Sequence, residues 1–94
     1  MTRISQKEFA RICAGVYEDR GSICKHNPIG SDEEILLWML LSILISYLSL
    51  NEQEIPCFPN STGAETYRQA ILFILQDRKT EDFDVESYLE NLCS

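Results

Sequence analysis

Apolar residues recur at intervals of three and four positions in four separate segments of the chain, and this spacing is typical of helices with one apolar face. The segments predict three main helices and a short C-terminal helix, at about 5–20, 32–50, 62–78 and 85–92. Glycine, proline and polar residues fill the intervening stretches and predict loops there. The pattern indicates an all-α fold, a small helical bundle that forms one domain over residues 1–94.

The beginning of each main helix carries a capping-box pattern, in which a serine or threonine precedes a glutamate by three positions. The pairs are Ser5 with Glu8, Ser31 with Glu34, and Thr62 with Glu65. Gly21 is predicted to end the first helix, because glycine adopts the left-handed conformation at low cost. Residues 21–31 are therefore predicted as a loop with a turn at Asn27-Pro28. Pro56 and Pro59 predict a fixed, non-helical segment before the third helix.

The second predicted helix is apolar nearly all round, because no charged residue occurs between Ile35 and Leu50. On a helical wheel, one face is made entirely of leucine: Leu37, Leu40, Leu41, Leu44 and Leu48. The opposite side carries a serine stripe within a sector of about 60°, flanked by larger apolar residues: Ser42, Ser46 and Ser49, with Ile35, Trp38, Met39 and Ile45. We expect this helix to be the centre of the bundle, with the first and third helices packed on its leucine face.

Three interpretations account for so apolar a helix. A membrane span needs about 20 apolar residues, whereas this run is shorter, includes serines and has no flanking basic cluster. In the second interpretation, the other helices of the same chain cover this helix entirely. In the third, a second subunit covers part of it. Because only three other helices are available to cover it, we expect a homodimer through its serine side. The serine stripe either admits a second backbone at close range or faces water.

Phe73 lies off the apolar face of the third predicted helix, about 130° from its centre. An exposed phenylalanine at that place would mark a further contact surface. Alternatively, the last helix or the proline-containing segment covers it. The predicted interface therefore consists of Ile35, Trp38, Met39, Ser42, Ile45, Ser46, Ser49 and Phe73.

The chain has a net charge of −7, from 8 basic and 15 acidic residues. Such a charge repels phosphate backbones, so we expect no nucleic-acid partner, and it favours a basic protein partner. Most acidic residues follow residue 26, whereas Arg3, Lys7 and Arg11 recur every four positions along the first helix. We expect these three to form salt bridges with acidic residues of other helices or, alternatively, to make a local anion site.

Four cysteines are present, and no two of them form a Cys-x-x-Cys pair. The N-terminal residues lack the apolar stretch of a secretion signal, so we expect a cytoplasmic protein with reduced thiols. Cys24 precedes Lys25 and His26, whose charges would lower the pKa of its thiol. Cys24, His26 and Cys57 are accordingly the candidates for a redox or metal site. Cys13 and Cys93 are expected to be small core residues.

No other pattern indicates catalysis. The single histidine excludes multi-histidine metal sites within one chain, and no glycine-rich phosphate loop is present. We therefore expect a non-enzymatic interaction or regulatory module that self-associates through the second helix, with no cofactor and no membrane. The alternative is a thiol-based redox or metal-binding protein that uses Cys24, His26 and Cys57.

Overall fold

The structure is a computed structural model that describes residues 2–27, 30–55, 57–58 and 61–94. These residues form five α-helices and one short 3₁₀ helix: α1 (Gln6–Glu18), α2 (Arg20–His26), α3 (Asp32–Tyr47), the 3₁₀ helix (Glu52–Glu54), α4 (Ala64–Gln76) and α5 (Val85–Cys93). Within the described part of the chain, α3 contacts each of the other four α-helices. The predicted helical bundle with its apolar helix at the centre is confirmed.

The leucine face of α3 forms the middle of the core. Leu37, Leu40 and Leu44 are completely buried, and Leu41 and Leu48 are nearly so. They belong to one apolar cluster with residues of the other helices, among them Phe9, Val16, Ile71, Ile74, Leu75 and Leu89. Burying a side chain of this size contributes about 1.5–3 kcal/mol. The first and third predicted helices correspond to α1 and α4, and their predicted packing on this face is confirmed.

The loop predicted over 21–31 is wrong in its first half, because α2 occupies Arg20–His26. Gly21 does not end α1. The first helix ends at Glu18, and its C-cap is Asp19, whose amide donates to the carbonyls of Gly15 and Tyr17. The chain bends there and continues in helical conformation, because the half-buried Ile23 and Cys24 pack against the core. The predicted turn at Pro28 and the prolines at 56 and 59 lie outside the described residues.

Two of the three predicted helix beginnings are confirmed. The Ser5 hydroxyl accepts a hydrogen bond from the amide of Glu8 at 3.2 Å, and the amide of Ser5 donates to the Glu8 carboxylate at 3.3 Å. Ser31 accepts from the amide of Glu34 at 3.2 Å and so caps α3, but the return hydrogen bond of the predicted capping box, from the Ser31 amide to the Glu34 carboxylate, is not found between these two described residues. The capping box predicted at Thr62 is wrong, because α4 begins at Ala64 after Gly63, and Gly63 has a φ of 59°. That backbone conformation turns the chain directly into the helix without a side-chain cap.

Candidate interaction surface

The side of α3 opposite the leucines is only partly covered by the rest of the described chain. Trp38 is 40% exposed, which is unusual for the largest side chain of a central helix. Ser46 and Ser49 are exposed as well. Met39, Ser42 and Ile45 are half-buried beside them. We call this surface the α3 outer face, and it consists of Trp38, Met39, Ser42, Ile45, Ser46 and Ser49.

Ile35, predicted to belong to the same surface, is instead only 4% exposed. It lies at the bottom of a pocket of about 280 Å³ that Asn27, Glu34, Trp38 and Tyr67 also line. The side chain is therefore covered within one chain, and Trp38 lies at the edge of this pocket. The pocket combines α3 with Tyr67 of α4.

Several polar groups of the α3 outer face have hydrogen-bond partners within the helix and its C-terminal turn. The Ser42 hydroxyl donates to the carbonyl of Trp38 at 2.9 Å. At the end of the helix, Ser49 has a φ of 55°, and its amide donates to the carbonyl of Ser46 at 3.3 Å. The amide of Leu50 donates to the carbonyl of Ile45 at 3.0 Å. These groups keep their hydrogen bonds when a second apolar surface excludes water from the outer face.

Charge is absent from the α3 outer face but present at both of its ends. The first turn of α3 holds three acidic residues, Asp32, Glu33 and Glu34. Glu33 lies 3.6 Å from the Arg68 guanidinium of α4. Beyond the other end of the helix are Glu52 and Glu54. In a chain with a net charge of −7, this outer face is an uncharged strip between acidic ends.

An apolar groove runs beside the α3 outer face, between α1, α2 and α3. It has a volume of about 470 Å³, and Met39 and Ile43 of α3 line it opposite Ile12 and Ile23. Met39 belongs to both surfaces, so the groove continues the outer face toward α1. The sequence interpretation missed this groove because it treated residue 23 as part of a loop. The signal for it was the apolar pair Ile23-Cys24 within a segment otherwise rich in polar residues.

Phe73 is 53% exposed, as its position off the apolar face of α4 predicts. The Phe58 ring lies edge-on to it, with ring centroids 6.5 Å apart and planes inclined by 74°. Phe58 thus covers part of Phe73, and about half of that side chain stays accessible. The groove that Phe73 lines includes no residue of the α3 outer face. The predicted interface residues therefore fall on two separate surfaces.

The candidate thiol and metal residues are not gathered into a site. No three residues of the His, Cys, Asp or Glu type within the described chain are placed to hold a metal ion together. His26 ends α2, and its Nδ1 lies 2.8 Å from the carbonyl oxygen of Ser22. Cys57 is exposed. The structure thus does not bring Cys24, His26 and Cys57 together.

The expectation of a lowered pKa at Cys24 is wrong. Desolvation raises the pKa of its thiol, and the nearby Asp32 carboxylate raises it further through its charge and a hydrogen bond. Burial raises the pKa of Cys13 to about 12. Burial also raises the pKa of Cys93, reinforced by the charge of Glu33 and opposed by that of Arg68. Cys13 is buried in the apolar cluster and Cys93 packs against it, in agreement with their predicted core positions.

The basic residues of the N-terminal region are not engaged as predicted. Ion pairs among the described residues join Arg68 to Glu33, Arg78 to Glu54 and Lys79 to Asp82. Arg3 instead donates to the carbonyl of Lys79 at 3.2 Å, and Lys7 and Arg11 are exposed. The expected salt bridges from these three residues are absent from the described part of the chain.

None of the described helices combines the length and the apolar character needed to cross a bilayer. Comparison of the chain with known protein families, curated proteins and solved structures finds no match. The geometry of its surfaces is therefore the basis on which a function is assigned.

Proposed function

We propose that this chain is a non-enzymatic interaction module that forms a homodimer through the α3 outer face. The observation that carries the proposal is the 40% exposure of Trp38 in the middle of an uncharged face of the central helix. Burial of an aromatic side chain of this size is a large favourable term at protein interfaces. Four free thiols fit a reducing compartment such as the cytoplasm.

The distribution of charge favours a second copy of the chain as the occupant. Two molecules that each carry −7 repel one another, and the uncharged strip of α3 is where they approach at the least cost. An antiparallel pair of α3 helices places the two acidic first turns, Asp32 to Glu34, at opposite ends of the contact. The two first turns are therefore kept apart, while each lies at the same end of the contact as Glu52 and Glu54 of the second copy, so the remaining repulsion acts at the two ends and weakens with added salt.

The same antiparallel arrangement pairs the largest side chain of the outer face with a small one. With the two-fold axis next to Ser42, Trp38 of one copy lies opposite Ser46 of the second copy, and Met39 lies opposite Ile45. A serine leaves room for the indole ring, and the helices approach closely where both residues are small. The contact is isologous, so it closes after two subunits and forms no open polymer.

The contact must extend beyond α3 to be stable. A standard interface buries about 800 Å² per partner, and one face of a helix of about 24 Å covers less than that. The groove lined by Ile12, Ile23, Met39 and Ile43 adjoins the outer face and supplies further apolar area. We therefore place this groove at the edge of the interface.

Sedimentation equilibrium of the protein under reducing conditions tests the proposal. From about 1 to 100 μM, the average mass is expected to rise from one chain to two. Ser46→Glu places a charge on the outer face and is expected to keep the protein monomeric over this range. The matched control is Ser87→Glu, which adds the same charge at an exposed position of α5 and is expected to dimerise normally. A monomer at all concentrations, or equal dimerisation of the two variants, would contradict the proposal.

A further inference from the structure

A second surface lies between α4 and α5, apart from the α3 outer face. It is a groove of about 470 Å³, which we call the α4–α5 groove. Its principal side chains are Phe58, Leu72, Phe73, Phe83, Asp84 and Glu86. Self-association through α3 does not use these residues, so this surface requires its own explanation.

The floor of the α4–α5 groove is aromatic and partly open to water. Phe73 is the most exposed large apolar side chain of the described residues, at 53%. Phe58 meets it edge-on, and Leu72 is half-buried beside it. Folding alone gains little from the half of the Phe73 ring that stays in water, whereas covering that half with another apolar side chain is favourable. The exposed part of Phe73 is therefore suited to an apolar side chain from outside the chain.

The rim of the groove is acidic. Asp84 and Glu86 are both exposed at its α5 side. The one basic side chain that lines the groove, within the described residues, is Lys79. Its ammonium group is already engaged, because Nζ lies 3.4 Å from the Asp82 carboxylate and donates to the carbonyl of Phe83 at 3.2 Å. The charge presented to a ligand is therefore negative.

The apolar floor and the acidic rim of the groove together define the chemistry of the ligand that would bind there. We propose that the α4–α5 groove binds a segment of another protein in which a large apolar side chain is flanked by lysine or arginine. The apolar side chain covers Phe73 and Phe58. The cations meet the carboxylate of Glu86 and that of Asp84, whose oxygens also accept from the amide and hydroxyl of Ser87. Gln69 and Gln76 line the groove and offer amide groups to the backbone of the segment.

A second copy of this chain does not fit the groove as well. Two α4–α5 grooves facing each other would bring Asp84 and Glu86 against their own equivalents. On its own surface, the chain has an exposed aromatic beside a cation at Tyr17, but the Arg20 guanidinium lies over that ring at 3.9 Å. Arg20 also donates to the carbonyl of Tyr17 at 2.7 Å. The ring and the cation of this pair therefore contact each other and are not presented to the groove of a second copy.

Fluorescence anisotropy with a labelled peptide tests this proposal independently of dimerisation. The probe is an amphipathic peptide of about 15 residues made of leucine and lysine, and its partner probe has glutamate in place of each lysine. Saturable binding of the lysine peptide is expected, with an affinity at least about tenfold above that of the glutamate peptide. Binding is expected to weaken as salt is added.

Variants of exposed residues locate the binding site. Phe73→Ala is expected to weaken binding of the lysine peptide about tenfold, and Glu86→Gln about threefold with a smaller salt dependence. There are two matched controls. Glu90→Gln changes an exposed residue of α5 outside the groove, and Trp38→Ala changes a residue of the α3 outer face. Both controls are expected to bind as the unaltered protein does.

Three results would overturn the proposal. They are the absence of saturable binding, equal affinity for the two peptides, and affinities unchanged by both Phe73→Ala and Glu86→Gln. Loss of peptide binding in Trp38→Ala would place the peptide on the α3 outer face instead. Sedimentation of the same variants separates the two surfaces, because Phe73→Ala is expected to leave dimerisation intact.

Discussion

The amide of Ile4 donates a hydrogen bond to the carbonyl of Arg78 at 2.8 Å, so the residues before α1 are joined to the connection after α4. The amide of Thr80 returns a hydrogen bond to the carbonyl of Ile4 at 3.0 Å. Together these bonds form a short parallel bridge between Ile4 and Lys79. The Ile4 side chain is completely buried in the apolar cluster. This contact closes the bundle between the N-terminal residues and the α4–α5 connection.

Ile4→Ala is expected to lower the free energy of unfolding by about 3 kcal/mol, since it removes a fully buried side chain and leaves a cavity. Urea denaturation followed by circular dichroism measures the change. Arg3→Ala is the control, because Arg3 is exposed and its substitution is expected to cost less than about 1 kcal/mol. Equal losses in the two variants would show that the side chain of Ile4 does not anchor this contact.

Ile4 also illustrates what the sequence pattern cannot predict. Helical periodicity identifies a stripe of several apolar residues, such as Phe9 and Val16 on α1. A single apolar residue ahead of a helix has no period, and its partner Arg78 is far away in the sequence. The leucine face of α3 was predictable for the opposite reason, because Leu37, Leu40 and Leu44 follow a strict helical spacing.

Gly63 has a φ of 59° and a ψ of −135°, a backbone conformation that other residues rarely adopt. Gly63→Ala is therefore expected to lower the free energy of unfolding by about 1–3 kcal/mol. Space is not the cause, since the nearest atom to an added Cβ is 3.7 Å away. Thermal unfolding followed by circular dichroism measures the effect.

Gly15 provides the opposite control for the same substitution. It lies inside α1, and nothing is within 4 Å of an added Cβ. Gly15→Ala is expected to raise the free energy of unfolding by about 0.5–1 kcal/mol, because alanine has the higher helix propensity. A stabilising effect at both positions would refute the strained conformation of Gly63.

The stability of the protein is expected to fall in alkali because of Cys13. Burial raises the pKa of this thiol from 9.0 to about 12. Below pH 9 the thiol is protonated in both states and contributes no pH dependence. Above pH 9 the unfolded chain loses the proton while the folded protein keeps it, so the free energy of unfolding falls by about 1.4 kcal/mol per pH unit. This fall ends near pH 12, where the folded thiol also ionises.

Other groups titrate in the same range, so the test compares variants. Cys13→Ala removes the thiol, and at pH 11 the unaltered protein is expected to have lost about 2–3 kcal/mol more than this variant, relative to pH 8. Val16→Ala, a neighbouring core truncation in α1, is expected to lower stability while keeping the steeper pH dependence. Identical slopes in the Cys13→Ala variant and the unaltered protein would contradict burial of a protonated thiol.

The features of the candidate surfaces that are set by a single helix could be predicted from the sequence, whereas those set by contacts between helices could not. The exposure of Ser46, Trp38 and Phe73 follows from their positions relative to the apolar face of their own helix. The environment of Cys24 does not, because its charged neighbour in space is Asp32 of α3. Lys25 follows Cys24 directly in α2, and consecutive side chains of a helix diverge by about 100°.

Trp38 is the only tryptophan of the chain, so its fluorescence reports on the α3 outer face alone. If two copies meet there, its surroundings become less polar as the indole moves out of water. From about 1 to 100 μM protein, the emission maximum is expected to shift to shorter wavelength and quenching by acrylamide to decrease. Ser46→Glu is expected to abolish both changes, whereas Phe73→Ala keeps them. A spectrum that stays constant while the sedimented mass doubles would mean that the dimer forms through another surface.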